Sequence, residues 1–126
     1  MSQSITDIVA AAKREVPSIS AEQARRLQGR ADVLFVDVRD PDEVAKTGKI
    51  AGAINVSRGM LEFRADETTP YHDKAFSRDK TLILYCASGG RSALGGKALR
   101  DMGYEDVKNL GAFKDWADNG LPVDRA

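Results

Sequence analysis

The chain has 126 residues, enough for one ordinary domain built around a single hydrophobic core. Nineteen Lys and Arg residues balance nineteen Asp and Glu, so no electrostatically held nucleic-acid or membrane partner is expected. No apolar run is long enough for a membrane span, the first residues carry no secretory pattern, and the lone cysteine precludes an internal disulfide; a reducing, cytoplasmic setting is therefore expected.

Ile5, Ile8, Val9, Ala12 and Val16 recur at helical spacing until Pro17 stops the run, which predicts an amphipathic first helix. Ser20 and Gln23 form a capping box opening a short helix through Gln28, closed by Gly29. Residues 33–38, mostly β-branched and aromatic, predict a strand. Asp40 as N-cap, Pro41 at the first helical position and Glu43 at the third open the next helix. Between strand and helix lie Asp37 and Arg39. Asp37 is read as half of a buried ion pair, since a carboxylate beside a thiolate would raise the thiol's pKa. Arg39 is counted with the pocket, as a source of positive potential at its mouth.

Gly48 and Gly52 frame a turn, and residues 53–56 enter a short strand. Residues 59–78 are the least determined stretch, with a helical turn expected over 60–64. The only histidine, His72, falls here; it is read as a surface or half-buried residue and not as a base for the cysteine.

The stretch over 81–102 organises the rest. Leu82, Ile83, Leu84 and Tyr85 form a short apolar run suited to a buried parallel strand. Cys86 follows at once, then Ala87, Ser88, Gly89, Gly90 and Arg91, then a segment with helical spacing beyond Ser92. Leu94, Ala98 and Met102 recur every four residues as its apolar face, and Gly103 stands where a helix-ending glycine belongs. Gly95 and Gly96 each cost a helix about 1 kcal/mol relative to alanine, so a close approach of this helix to the sheet is expected. Residues 104–110 predict a last strand and residues 111–116 begin a terminal helix, with Trp116 in the core.

A thiol between a strand and a helix sits where inward-pointing amides and the positive helix end favour the thiolate, below the free-cysteine pKa of about 8.5. Two adjacent glycines let the backbone curl around a sulfur or an anion, and Arg91 supplies a cation that does not deprotonate. Cys86 is therefore the candidate nucleophile. The candidate substrate-binding set is Ala87, Ser88, Gly89, Gly90, Arg91, Ser92 and Arg39.

The run Cys86-Ala87-Ser88-Gly89-Gly90-Arg91-Ser92 resembles the active-site loop of single-domain rhodaneses, the thiosulfate sulfurtransferase superfamily. Three more stretches match in order: Asp37-Val38-Arg39; residues 47–56, with Lys49 where histidine is usual; and residues 110–123, with Ala112 in place of a glycine. The resemblance covers roughly residues 31–123, with the helices of residues 5–28 packed onto that single domain. It implies an α/β, three-layer rhodanese-like fold: a central, mostly parallel sheet of about five strands with helices on both faces. It also implies transfer of a sulfane sulfur from thiosulfate, through a Cys86 persulfide, to cyanide or to a thiol or protein acceptor. No cofactor and no metal are implied, and the oligomeric state stays open.

Two alternatives stand beside it. A regulatory or relay module would carry persulfide sulfur between proteins without free turnover; such modules commonly lack the cysteine, which this chain keeps. A cysteine phosphatase or arsenate reductase would place five residues between Cys and Arg, whereas four stand here, Ala87 to Gly90. That tighter loop suits one sulfur better than a phosphate.

Overall fold

The computed structural model describes residues 2–125. Two helices come first: α1 (Ile5–Glu15), with Ser4 accepting from the Asp7 amide, and α2 (Ala21–Leu27), opened by the Ser20–Gln23 capping box. There follow β1 (Val33–Asp37), α3 (Pro41–Thr47), β2 (Lys49–Ile50), β3 (Ile54–Asn55) and a 3₁₀ turn (Arg58–Met60) running into α4 (Leu61–Ala65). The chain ends with β4 (Thr81–Cys86), α5 (Gly90–Asp101), β5 (Val107–Ala112), α6 (Phe113–Ala117) and β6 (Val123–Asp124).

The central sheet is all parallel and has four strands, in the order β3-β1-β4-β5, where about five were expected. The two remaining short strands, β2 and β6, pair antiparallel with each other outside that sheet. Residues 104–106 also stay outside the ladder, so β5 starts three residues later than predicted and runs on to Ala112. At the other edge Ser18 forms a parallel bridge to Asn109.

Side chains of successive strand residues point to opposite faces, and both faces are covered. Leu34, Val36, Leu82, Leu84 and Cys86 share one face with Val16, Leu61 and Leu99, under α1, α4 and α5. Phe35, Ile83, Tyr85 and Leu110 share the other with Ala24, Phe113 and Trp116, under α2 and α6. A bulge in β5 makes the two series meet. Leu84 pairs with Asn109 and Tyr85 with Gly111, leaving Leu110 as the extra residue.

Two helices bury different surfaces from those their spacing predicts. In α1 the inward residue is Ala12, with Val16 just beyond the helix, while Ile5 and Ile8 stay exposed. In α5 the buried residues are Ser92, Ala93, Gly95, Gly96 and Leu99; Leu94, Ala98 and Met102 are only half-buried. The glycines account for this. A β-carbon on Gly95 would lie 2.8 Å from Leu61 Cδ2 and 3.3 Å from Leu84 Cδ2, and one on Gly96 would lie 2.9 Å from Val16 Cγ1. The helix presses its smallest residues onto the sheet, which is the close approach expected. Gly103, at φ +98°, ends α5 in the left-handed conformation as predicted. Among the described residues, no helix is long and apolar enough to cross a membrane.

Candidate active site

Cys86 is the last residue of β4, and alternation along the strand turns its side chain to the α5 face. The residue is 1% exposed, so the sulfur lies beneath the loop that follows. Ala87 and Ser88 form the exposed rim of that loop, and Gly89 is buried again. Gly89 adopts φ +102°, ψ −8°, a conformation in which a β-carbon is strained. It also lies against the bulge: a β-carbon there would sit 3.3 Å from Gly111 Cα. This turn reverses the chain tightly enough that Gly89 N–H donates to Cys86 Sγ at 3.0 Å. The helix begins at Gly90, so Gly90, Arg91 and Ser92, expected in the loop, are the first turn of α5.

Burial raises the pKa of the Cys86 thiol. The Ser92 hydroxyl and the amides of Ser92, Gly89 and Ser88 outweigh burial, and the net shift is downward. The side chain is therefore hidden from solvent at the edge of the apolar cluster, yet hydrogen-bonded to the Gly89 amide. Ser92 Oγ stands 3.4 Å from the sulfur and donates to Asn109 Oδ1 at 2.7 Å. Asn109 Nδ2 in turn reaches the Gly89 carbonyl at 3.4 Å. Asn109 escaped the sequence reading because it stands in a strand, 17 residues from Ser92; its strand parity, shared with Val107, was the available signal.

Arg91 is at the loop but is not a free cation. Its guanidinium grips Glu43 of α3 bidentately, at 2.7 and 2.9 Å. That grip pulls the Glu43 carboxyl down to about 2, helped by the Asp40 amide, and raises Arg91 in turn. Glu43 was predicted as a helix-opening residue, and it does accept from the Asp40 N–H at 3.1 Å. Its second role joins residues 48 positions apart, which spacing does not reveal.

The structure does not bring Arg39 to this loop. Arg39 is 2% exposed and lies on the α6 face of the sheet, opposite Cys86. Its guanidinium stands 4.3 Å from the Phe113 ring centroid and 5.8 Å from that of Tyr85. Every nitrogen is engaged: Nε and Nη2 by Asp37, Nη1 by Thr47 Oγ1 at 2.8 Å, and Nη2 also by the Gly48 carbonyl at 2.8 Å. Asp37 is thus half of a buried ion pair, as read from the sequence, and Arg39 is the other half. His72 is half-buried, and the hydrogen-bond partners of Cys86 Sγ are the Gly89 N–H and Ser92 Oγ.

Residues 20–119 match the family model described as Rhodanese-like domain. A sulfurtransferase of Allochromatium vinosum is 36% identical over 110 residues, spanning 86% of this chain and 92% of that protein. The thiosulfate:glutathione sulfurtransferase of Saccharomyces cerevisiae is 33% identical, spanning 83% of this chain and 81% of its own length. Among solved structures, a Rhodopseudomonas palustris protein of unknown function, described as a possible tyrosine phosphatase, superimposes with a TM-score of 0.91 at 38% identity, covering 98% of this chain and 96% of that one. With four parallel strands, a thiol cradled by amides at the end of β4 and relatives that move sulfur, the chain belongs to the rhodanese superfamily as a rhodanese-like domain.

Proposed function

We propose that this chain works as a single domain that transfers sulfane sulfur from thiosulfate, through a persulfide on Cys86, to a thiol or, in an assay, to cyanide. The Cys86 thiolate attacks the outer sulfur of thiosulfate. A new S–S bond forms, the bond to the sulfonate sulfur breaks, and sulfite leaves with the bonding pair. An acceptor nucleophile then attacks the terminal sulfur, and the electron pair of the persulfide bond returns to Cys86. With no second thiol in the chain, the acceptor must come from outside.

The observation carrying this reading is the 3.0 Å donation from Gly89 N–H to Cys86 Sγ in a loop that favours the thiolate. In the proposal the amides of residues 87–92 hold the terminal sulfur, and Arg91 draws the anionic donor with a charge that Glu43 shares. Arg39 belongs to the scaffold in this reading. The lone thiol suits a reducing, cytoplasmic setting.

Phosphate chemistry fits less well. A phosphatase arginine binds its substrate's oxygens as a bidentate fork, and the fork of Arg91 is already filled by a carboxylate. Relay of persulfide to a partner protein is the second reading, favoured by the near-complete burial of Cys86.

Exposure to thiosulfate should release one sulfite and add one sulfur atom to Cys86, read by sulfite assay and mass spectrometry. Cys86→Ser should do neither while keeping its far-ultraviolet dichroism. Phosphomonoester hydrolysis without sulfur loading would sink the proposal. Sulfur loading that discharges only to a protein acceptor would select the relay.

A further inference from the structure

Ser92 has one hydroxyl proton and two neighbours that can take it. In this structure the hydroxyl donates to Asn109 Oδ1, 2.7 Å from Ser92 Oγ. The Asn109 amide cannot be turned round to release it, because the Gly89 carbonyl sits 3.4 Å from Nδ2 and a reversed amide would set two acceptors face to face. With its proton committed, Ser92 Oγ at 3.4 Å from Cys86 Sγ is an acceptor, and the thiol S–H donates to it. The protons therefore run away from the sulfur: S–H to Ser92, Ser92 to Asn109.

Ionisation reverses this order. A thiolate only accepts, so the Ser92 proton must swing from Asn109 to the sulfur to join the Gly89 N–H there. The Asn109 oxygen is then left without its donor at a residue only 7% exposed, where an unpaired acceptor is costly.

We propose that Asn109 is a positioning residue that competes with the Cys86 thiolate for the single proton of Ser92, and so restrains ionisation of the nucleophile. The amides pull the thiol one way and Asn109, through Ser92, pulls it the other. An attacking thiol works best with its pKa near ambient pH, because a more acidic thiolate is a poorer nucleophile. The β5 bulge makes the arrangement possible. Asn109 pairs with Leu84 just before the extra residue Leu110 and so faces α5. Its own N–H and C=O are tied to Pro17 and Ile19 at 2.8 and 3.1 Å, which fixes the backbone behind the side chain. The charged groups acting at this loop are Arg91 on α5 and, through it, Glu43 and Asp40 at α3. From β5 and the core beneath, the side chains on the sulfur's face are neutral: Val107 and Leu84 share the apolar cluster of Cys86, and Asn109 reaches it through Ser92. Changing Asn109 therefore alters no charge near the sulfur.

This inference rests on Cys86 as the nucleophile, but its test needs no sulfur donor. The protein holds one cysteine, so the ultraviolet absorbance of the thiolate, titrated against a Cys86→Ser blank, reads one group. Asn109→Leu should lower the Cys86 pKa by about half to one unit, the scale of one hydrogen bond. Asn109→Ala, which adds no bulk, should give the same sign if the leucine variant folds poorly. Ser92→Ala should raise the pKa, and adding Asn109→Ala to it should change nothing further. A rise or no change in Asn109→Ala, or a fall that persists in the Ser92→Ala background, overturns the proposal. Normal titration shifts in a protein that never loads sulfur would instead remove the sulfurtransferase reading and leave the proton competition standing.

Discussion

The carboxyl ends of β1 and β4 lie side by side, with Asp37 paired to Tyr85, and both carry polar residues. They are used in opposite ways. The β1 end closes on itself: Asp37 and Arg39 are at most 3% exposed in their side chains, satisfy each other, and stack beneath α6. The β4 end stays unfinished. Its sulfur is buried but hydrogen-bonded to the Gly89 amide and the Ser92 hydroxyl, and its cation sits at the rim, 35% exposed. Strand parity separates the two, since Asp37 shares the face of Phe35 while Cys86 shares that of Leu84. Neighbouring strand ends can thus hold a fastening and a candidate nucleophile without electrostatic conflict, because the sheet lies between them.

The largest expected effect falls on the fastening. Arg39→Ala leaves Asp37 buried and unpaired, and should cost about 3–5 kcal/mol in urea unfolding. Arg39→Lys should restore little of it, since one ammonium cannot replace a stacked fork. In either variant the folded protein should keep its KM for thiosulfate. Unchanged stability with lost turnover would mean that the two strand ends are not divided in this way.

Gly89→Ala probes the other end. A side chain at φ +102° pressed toward Gly111 should cost about 1–2 kcal/mol and shift the amide off the sulfur, lowering turnover and raising the thiol pKa together. Stability lost without any change at the thiol would show that the turn shapes the fold alone. A smaller effect is expected at the rim. Arg91→Ala should raise the KM for thiosulfate about two- to fivefold, the scale of a partly exposed charge, and Glu43→Gln should lower it. Equal KM values in all three proteins would remove Arg91 from donor binding.

The smallest effect concerns acid. Glu43 ionises in the folded chain at about 2, well below an unfolded glutamate. A depressed carboxylate stabilises the fold above the unfolded pKa and loses that contribution as pH falls toward its folded value. Glu43→Gln should therefore flatten the decline in stability between the ordinary glutamate range and about pH 2. An unaltered acid limb in thermal melts would mean that this exposed pair contributes nothing measurable.

Legibility followed the local signals. The Ser20 and Asp40 helix starts, the β1 and β4 strands, the glycine ending α5 and the cysteine between strand and helix are set by neighbours within a few residues. Other features were not. The buried face of α5 was misplaced because hydrophobic spacing gives no weight to Gly95 and Gly96, which are buried for lack of a side chain. Arg39 was assigned to the pocket because nearness along the chain said nothing of which sheet face it takes. The Glu43–Arg91 and Ser92–Asn109 contacts join distant segments that only the assembled sheet brings together.

Gly48 links the fastening to the last strand. It hands its carbonyl to Arg39, and it is so close to β6 that a β-carbon would lie 2.6 Å from the Asp124 carbonyl oxygen. Residues 123 and 124 thus act as a latch across the back of the molecule. Nicking or trimming there would loosen the guanidinium clamp while leaving the sulfur, on the far side of the sheet, in its cradle.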